Sequence, residues 1–344
     1  MKSAITTIAA VVVVGALTVC LAGCNRSVVV VVFDVPSGVS AMSIDGDRVF
    51  LAGNPRQPDL CVVSFASEQA GPQETVATGV FGPPRPGNGV GGLVVQGSTA
   101  FAALSSGFLV LDVSDAASPQ VLATLDQDAP RGSWRSLAVA DGLAVLAHSK
   151  GSLRDRGVPM RLSLIDVRDP RMPRPTSAIT LPQGSDSVAA IALRGPILLV
   201  AARQSGLFIY DVTDPSSPGL LSQYKPGHWT RGVASEGGVA YLSVSTTKGA
   251  SWVHVLDISD PSDPQLIKRL ETPGIAQRLA VSSPYLYVAD RQAGLRIYDI
   301  STPAKPQFIS RFKRRGNVME VAASDALVVI GGSGRQAQIL RHSR

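Results

Sequence analysis

Five stretches of the chain repeat one pattern, an apolar run ending in aspartate and followed by a Pro-rich turn. They are GFLVLDVSDAASPQVLATL from Gly107, RLSLIDVRDPRMPRPTSAITL from Arg161, GLFIYDVTDPSSPGLLSQY from Gly206, WVHVLDISDPSDPQLIKRL from Trp252 and GLRIYDISTPAKPQFISRF from Gly294. The shared aspartates are Asp112, Asp166, Asp211, Asp257 and Asp299, at spacings of 54, 45, 46 and 42 residues. A unit of this size cannot bury its faces alone and must stack on copies of itself, and ~40–50 residues is the length of a four-stranded propeller blade.

Each unit reads as four strands. Ser136–Val139 typifies strand A, which turns at Asp141-Gly142 into strand B at Leu143–Ala147. Strand C is the apolar run that ends at the shared aspartate, and strand D follows the turn. No stretch of about 10–15 residues with helical period separates these strands, which excludes parallel βαβ units. Strand C is apolar on both faces: Leu207 and Ile209 point one way, Phe208 and Tyr210 the other. A sheet wetted on one side would alternate with polar residues, whereas a blade is packed on both sides by its neighbours. The 33 glycines and 24 prolines among 344 residues suit many short strands and turns, not a helical bundle. With 45 % hydrophobic, 17 % charged and only 5 % aromatic residues, the chain is no disordered segment, and its core is built of Val, Leu, Ile and Ala.

A first unit runs from Val39 to Thr78, with an atypical strand C at Leu60–Phe65, and the next five end near Leu125, Leu181, Tyr224, Leu270 and Phe312. Val318–Ala323, Leu327–Ile330 and Gln336–Arg341 then supply strands A, B and C of a seventh blade without its D. Val28–Phe33 belongs to no complete unit and stands as far ahead of Ala41 as Tyr224, the end of a D strand, stands ahead of Gly232. The expected fold is therefore all-β, a seven-bladed β-propeller over residues 28–344 closed by the N-terminal strand, because an open array would leave two exposed edges.

The strings LDVSD, LIDVRDP, IYDVTDP, VLDISDP and IYDISTP resemble the LVIVD repeat, a β-propeller repeat family of bacterial and archaeal surface proteins. The resemblance extends over nearly all of the chain after its leader, with the first and seventh units departing from the motif. It implies an exported binding or scaffold propeller and attaches no general enzymatic activity.

The carboxylates of Asp211/Asp214 and Asp257/Asp260 invite a calcium reading. Turn capping explains them better: an aspartate at a strand end accepts the N–H groups of the following turn, and each turn belongs to a different blade. His148, His228, His254 and His342 have no metal-ligand spacing, and no nucleophile-elbow, zincin, Walker or CxxC pattern is present. No cofactor, metal or catalytic set is expected. The glycine-rich Gly87–Gly92 precedes no helix, so it is no nucleotide cradle. Lys313-Arg314-Arg315 lacks the interleaved aromatics of a nucleic-acid surface.

The candidate binding residues cluster in the D-to-A connections: Trp134, Arg135, His228, Trp229, Arg231, Arg278 and Glu320. In an antiparallel blade these connections share a face with the B-to-C loops and ring the mouth of the central channel. Trp, His and Arg favour interfaces; the competing reading is that each Trp packs on its blade with Arg solvated above. The B-to-C loops vary most, with a basic insertion at Ser149–Gly157 and shorter ones at Asn54–Asp59 and Thr246–Ser251. Variable loops on a constant scaffold are where binding sits. The expected function is a membrane-anchored binding or scaffold module for a protein or polymer partner. The alternative is an envelope or extracellular hydrolase or lyase with its site at the channel mouth.

The address is written in the first 24 residues. Lys2 precedes an uncharged apolar run, Ile5–Val19, and Leu21-Ala22-Gly23-Cys24 resembles the bacterial lipobox. The resemblance implies a signal peptide over residues 1–23, cleavage before Cys24, and lipid (palmitate-type acyl chains) on its thiol and amine, with residues 24–27 as tether. Cys20 then leaves with the signal, and only Cys61 remains unmodified, so neither a disulfide nor a Cys-based metal site is available. The net charge of +6 falls by one when Lys2 is lost; it permits attraction to anionic surfaces without demanding it. Asn25, not aspartate, follows the cysteine, which is compatible with the outer membrane or the cell surface. Cys24→Ser is expected to abolish membrane attachment and leave the precursor unprocessed. Radiolabelled fatty acid incorporated by that variant would refute the lipoprotein reading.

Overall fold

The computed structural model describes residues 13–20, 27–34, 39–46, 48–53, 60–65, 75–81, 90–105, 107–115, 118–126, 132–150, 160–314, 316–332 and 336–342. These residues form an all-β propeller without helices. Six four-stranded antiparallel blades follow in chain order, each with its strands A to D side by side. Their innermost strands are Val39–Asp45, Val90–Gln96, Gly132–Ala140, Ala190–Arg194, Trp229–Glu236 and Arg278–Ser282. A further sheet begins with Val318–Ala323, Leu327–Gly332 and Gln336–His342 and continues with Ser27–Asp34 and Val13–Cys20. Ser27–Asp34 pairs antiparallel with Gln336–His342, from Val28 opposite His342 to Asp34 opposite Gln336. Val13–Cys20, within the segment expected to be a signal peptide, pairs along the outer side of Ser27–Asp34. Successive innermost strands touch around the ring, and Val318–Ala323 touches Val39–Asp45.

The core lies between the sheets, not within them. Phe208 and Tyr210 of the fourth blade pack with Val145, Leu162 and Leu164 of the third. Leu207 and Ile209, one pleat step away, pack with Leu242, Val244 and Leu256 of the fifth. This is the two-faced burial that strand C announces in sequence. Each such side chain contributes ~1.5–3 kcal/mol when fully buried. The same type of core joins Val49 and Leu51 of the first blade to Leu327, Val329, Ala337 and Ile339.

Two bulges recur that the sequence does not announce. The D strands step out of register against strand C at Val121/Ala123, and at the matching points beside Val63/Ser64, Leu164/Ile165, Ile209/Tyr210, Val255/Leu256 and Ile297/Tyr298. Innermost strands step at their entry, at Val39/Ala41, Val90/Gly92, Trp134/Ser136, Thr230/Val233 and Val318/Glu320. A bulge turns backbone groups and side chains away from the ladder; here it does so at the rim of the channel.

Deleting Val28–Phe33 removes the strand paired to Gln336–His342 and bares that strand's hydrogen-bonding edge. The expected outcome is aggregation or a sharply lowered Tm. A soluble monomer with unchanged Tm would show that the pairing contributes nothing.

Candidate functional site

The two ends of the propeller differ in what their polar groups do. On the end formed by A-to-B and C-to-D turns, the repeated aspartates are spent on the turns themselves. Asp112, Asp211, Asp257 and Asp299 each accept the backbone N–H two residues on, at 2.8, 2.8, 2.9 and 2.8 Å. The amide of the apolar residue between donates to the neighbouring A-to-B turn: Val113 to Ser98, Val212 to Pro196, Ile258 to Gly238 and Ile300 to Pro284. Asp166 does the same with Arg168, whose guanidinium also pairs with its carboxylate. That side chain, then its backbone N–H, holds Asp166 down to about 2; the hydroxyl and backbone N–H of Thr213 lower Asp211 in the same way. The second aspartates, Asp169, Asp214 and Asp260, cap their own Pro turns through Arg171, Ser216 and Ser262 N–H. A groove of about 360 Å³ between the third and fourth blades lies on this end, lined by Asp166, Arg168, Asp214 and Ser216. Within it Asp166 is bonded to Arg168 and Asp214 to Ser216.

The opposite end surrounds the mouth of the channel. There the B-to-C loop of one blade hooks the entry of the next innermost strand. Thr230 binds the loop of Arg203: its amide donates to the Arg203 carbonyl at 2.9 Å and its hydroxyl donates to the Arg203 and Gly206 carbonyls. Arg291 and Val318 exchange both backbone bonds at 3.0 Å. The two loops share one turn, Arg203-Gln204-Ser205-Gly206 and Arg291-Gln292-Ala293-Gly294, and the arginines have φ of 40° and 42°. A long side chain in the left-handed region is uncommon and collects at functional sites.

Arg278 starts the innermost strand of the sixth blade and reaches three others. Its guanidinium donates to the carbonyls of Ala189 at 2.8 Å and Arg231 at 3.0 Å, and to Glu320 Oε2 at 3.3 Å. Burial raises the Glu320 carboxyl, and the charge of Arg278 opposes the rise. This pair is a cross-tie of the scaffold. Arg231 donates from Nε to Ser245 Oγ at 2.7 Å, and its guanidinium stands 5.5 Å from the Trp229 ring centroid. Arg203 stands 5.8 Å from the same ring. His228 is exposed and stacks on Trp252, with ring centroids 5.8 Å apart.

Of the residues read as D-to-A connections, only His228 precedes its strand. Trp229 and Arg231 lie on Trp229–Glu236, Arg278 opens Arg278–Ser282, and Glu320 lies within Val318–Ala323. Trp134 and Arg135 lie on Gly132–Ala140, where their side chains fall outside the described residues. The physical reason for this correction is the long B strands: their ladders run to Ser245 opposite Trp229 and to Lys150 opposite Gly132, so pairing continues into what reads as loop. The structure brings His228, Trp229, Arg231, Arg278 and Glu320 to one mouth. The sequence reading missed Arg203 and Arg291, although the repeated Arg-Gln-Xaa-Gly could have flagged both. Cys24 and most of the Ser149–Gly157 insertion, from 151 on, lie outside the described residues.

His254, in mid-strand, is buried and bonds the Tyr224 hydroxyl through Nδ1 at 2.9 Å; burial first, then Arg269 and His228, lowers it to about 4. It is a neutral packing residue. Asp290 stands where the fourth blade has Ala202 in the same turn, so the turn does not need it. It is fully buried, accepts the Gly274 N–H at 3.1 Å on Oδ2, and has no partner for Oδ1. Burial raises it to about 6 from 3.8, against the Gly274 bond and Arg296. The folded state thus holds a proton that the unfolded chain releases. Stability from this group is complete below pH ~4 and is lost as pH rises through ~6, a difference of about 3 kcal/mol. Asp290→Asn is expected to match the parent in denaturant midpoint at pH 4 and to exceed it at pH 7.5. Equal midpoints at both values would refute the assignment.

The LVIVD repeat model matches residues 89–126, 187–225, 249–272 and 273–313. No curated protein matches the sequence. Among solved structures, a chain of a mitotic checkpoint complex superposes at TM-score 0.69 with 13 % identity, over 91 % of this chain and 95 % of that one. A computationally designed protein superposes at 0.62 with 11 % identity, over 90 % and 97 %. Identities this low speak to the fold alone, and the fold agrees. The chain thus carries LVIVD repeats in four regions of an all-β propeller, each region containing the aspartate that caps the turn after strand C.

Proposed function

We propose that the protein is an exported, lipid-anchored, seven-bladed propeller that binds a protein or polymer partner at the mouth of its channel. The signal peptide occupies residues 1–23, the lipidated tether 24–27 and the propeller 28–344. Closure of the seventh blade by Val28–Phe33 is supported by its register with Gln336–His342 and by the apolar core between that sheet and the first blade.

Chain direction sets the orientation. A D strand runs from the turn end to the mouth end, so Val28 starts at the Asp-Pro turns, four residues from the lipidated cysteine. Four residues span at most ~14 Å. The turn end thus faces the membrane and the mouth faces away from it.

One observation carries the binding reading. The turn end uses its polar groups on itself, whereas the mouth presents His228, Trp229 and Arg231 with aromatic and cationic surface to spare. Interfaces draw their binding energy from such side chains. The hydrolase or lyase reading needs an acid–base pair at the mouth. The described groups gathered there are chiefly guanidiniums, which do not titrate near neutrality; the Glu320 carboxylate is tied to Arg278 and the buried Asp290 carboxyl to the Gly274 N–H.

A photo-crosslinking residue in place of His228, in membrane-bound protein, is expected to give a discrete protein or polymer adduct, and one in place of Ser216 lipid adducts only. Partner adducts from 216 with none from 228 would overturn both orientation and binding face.

A further inference from the structure

Three arginines meet at the mouth from three different places in the chain. Arg203 comes from the B-to-C loop of the fourth blade, Arg231 from the entry of the fifth and Arg291 from the B-to-C loop of the sixth. Arg203 and Arg231 share the Trp229 ring. Arg291 is held by Gln277 Oε1, which accepts from its Nε at 3.2 Å and from Nη2 at 3.0 Å. Gln277 immediately precedes Arg278, which binds the Arg231 carbonyl. The three stand close enough that the charges of Arg203 and Arg291 both act on Arg231.

Its charge is unmatched. Among the described residues none of the three forms an ion pair, whereas the neighbouring Arg278 has Glu320. Their acceptors are neutral: a serine hydroxyl for Arg231 and a glutamine carbonyl for Arg291. Neutral acceptors orient a guanidinium without cancelling its charge. Arg203 Nε is buried with no acceptor at all. Burial, then the charges of Arg291 and Arg203, holds Arg231 below the usual arginine value. The scaffold also spends backbone strain on the arrangement, because both loop arginines sit in the left-handed region. Asn or Gly would fit that turn more easily.

We infer that Arg203, Arg231 and Arg291 form an oxyanion site at the channel mouth, which takes a carboxylate, phosphate or sulfate group of the ligand. The inference rests on the mouth being the binding face and names the chemistry recognised there. An oxyanion among three preoriented forks gains charge-assisted hydrogen bonds and relieves the repulsion between like charges. Trp229 holds two of the three guanidiniums against one ring.

The test is calorimetry of the detergent-solubilised full chain at low ionic strength, with two probes: tricarballylate for carboxylates and tripolyphosphate for phosphates. Saturable binding that salt weakens is expected for at least one, and the preferred probe identifies which oxyanion the site favours. The double variant Arg203→Asn/Arg291→Asn keeps residues that tolerate the turn and removes two charges. It is expected to bind at least about tenfold more weakly at unchanged Tm. Lys305→Gln, on the opposite end, is expected to bind like the parent. Binding of neither probe, or equal affinity in the double variant, would overturn the oxyanion site. Partner adducts from position 228 that persist in the double variant would leave the mouth as the binding face and remove the anion from it. Arginine-dependent probe binding without any such adduct would do the reverse.

Discussion

Everything in this structure depends on the pleat of the third strand in each blade. Successive side chains leave a strand on opposite faces, and here both faces are apolar, so Phe208 and Tyr210 enter one core while Leu207 and Ile209 enter the next. No sheet has a core of its own. Each is half of two interfaces, and a sheet taken from the ring would present two wet hydrophobic faces. A stack of such units becomes stable when the last meets the first, which is the geometry that places Val49 and Leu51 against Val329 and Ile339.

The polar half of the repeat solves the complementary problem. A strand that ends against solvent leaves donors without partners, and the shared aspartate supplies them. The Val or Ile after it buries its side chain while its amide stitches the third strand to the A-to-B turn of the same blade. One dipeptide thus closes a hairpin, caps a turn and fills a gap between sheets. This explains why the motif recurs where the rest of each unit drifts. In the third blade, Asp166 and Val167 form the same bonds although the family match does not extend there.

What could be read from sequence follows from this division. The blade strands, the two-faced third strand and the capping role of the aspartates rest on short-range periodicity and turn chemistry, and Val113, Val212 and Ile258 sit as those rules require. The entry bulges were not legible, because an extra residue in one strand leaves the apolar alternation of its partner intact. Arg203 and Arg291 were hidden for a different reason: a reader expects glycine or asparagine at positive φ, and the turn is held instead by a bond to the next blade, far along the chain. Asp290 was invisible because its bond from the Gly274 N–H comes from the connection between the fifth and sixth blades. The oxyanion cluster is assembled from such long-range contacts, so it emerged only in three dimensions.

The reach of Arg278 alters how the ring responds to stress. A circle of repeats is close to a one-dimensional chain of nearest-neighbour couplings, in which a loosened unit disturbs only the units beside it. Arg278 breaks that locality, since its bond to the Ala189 carbonyl skips from the sixth blade over the fifth to the fourth. The bonds to Arg231 and Glu320 add the units between and beyond. Four consecutive sheets of the ring therefore share a single guanidinium, so a disturbance at one of them reaches beyond its immediate neighbour.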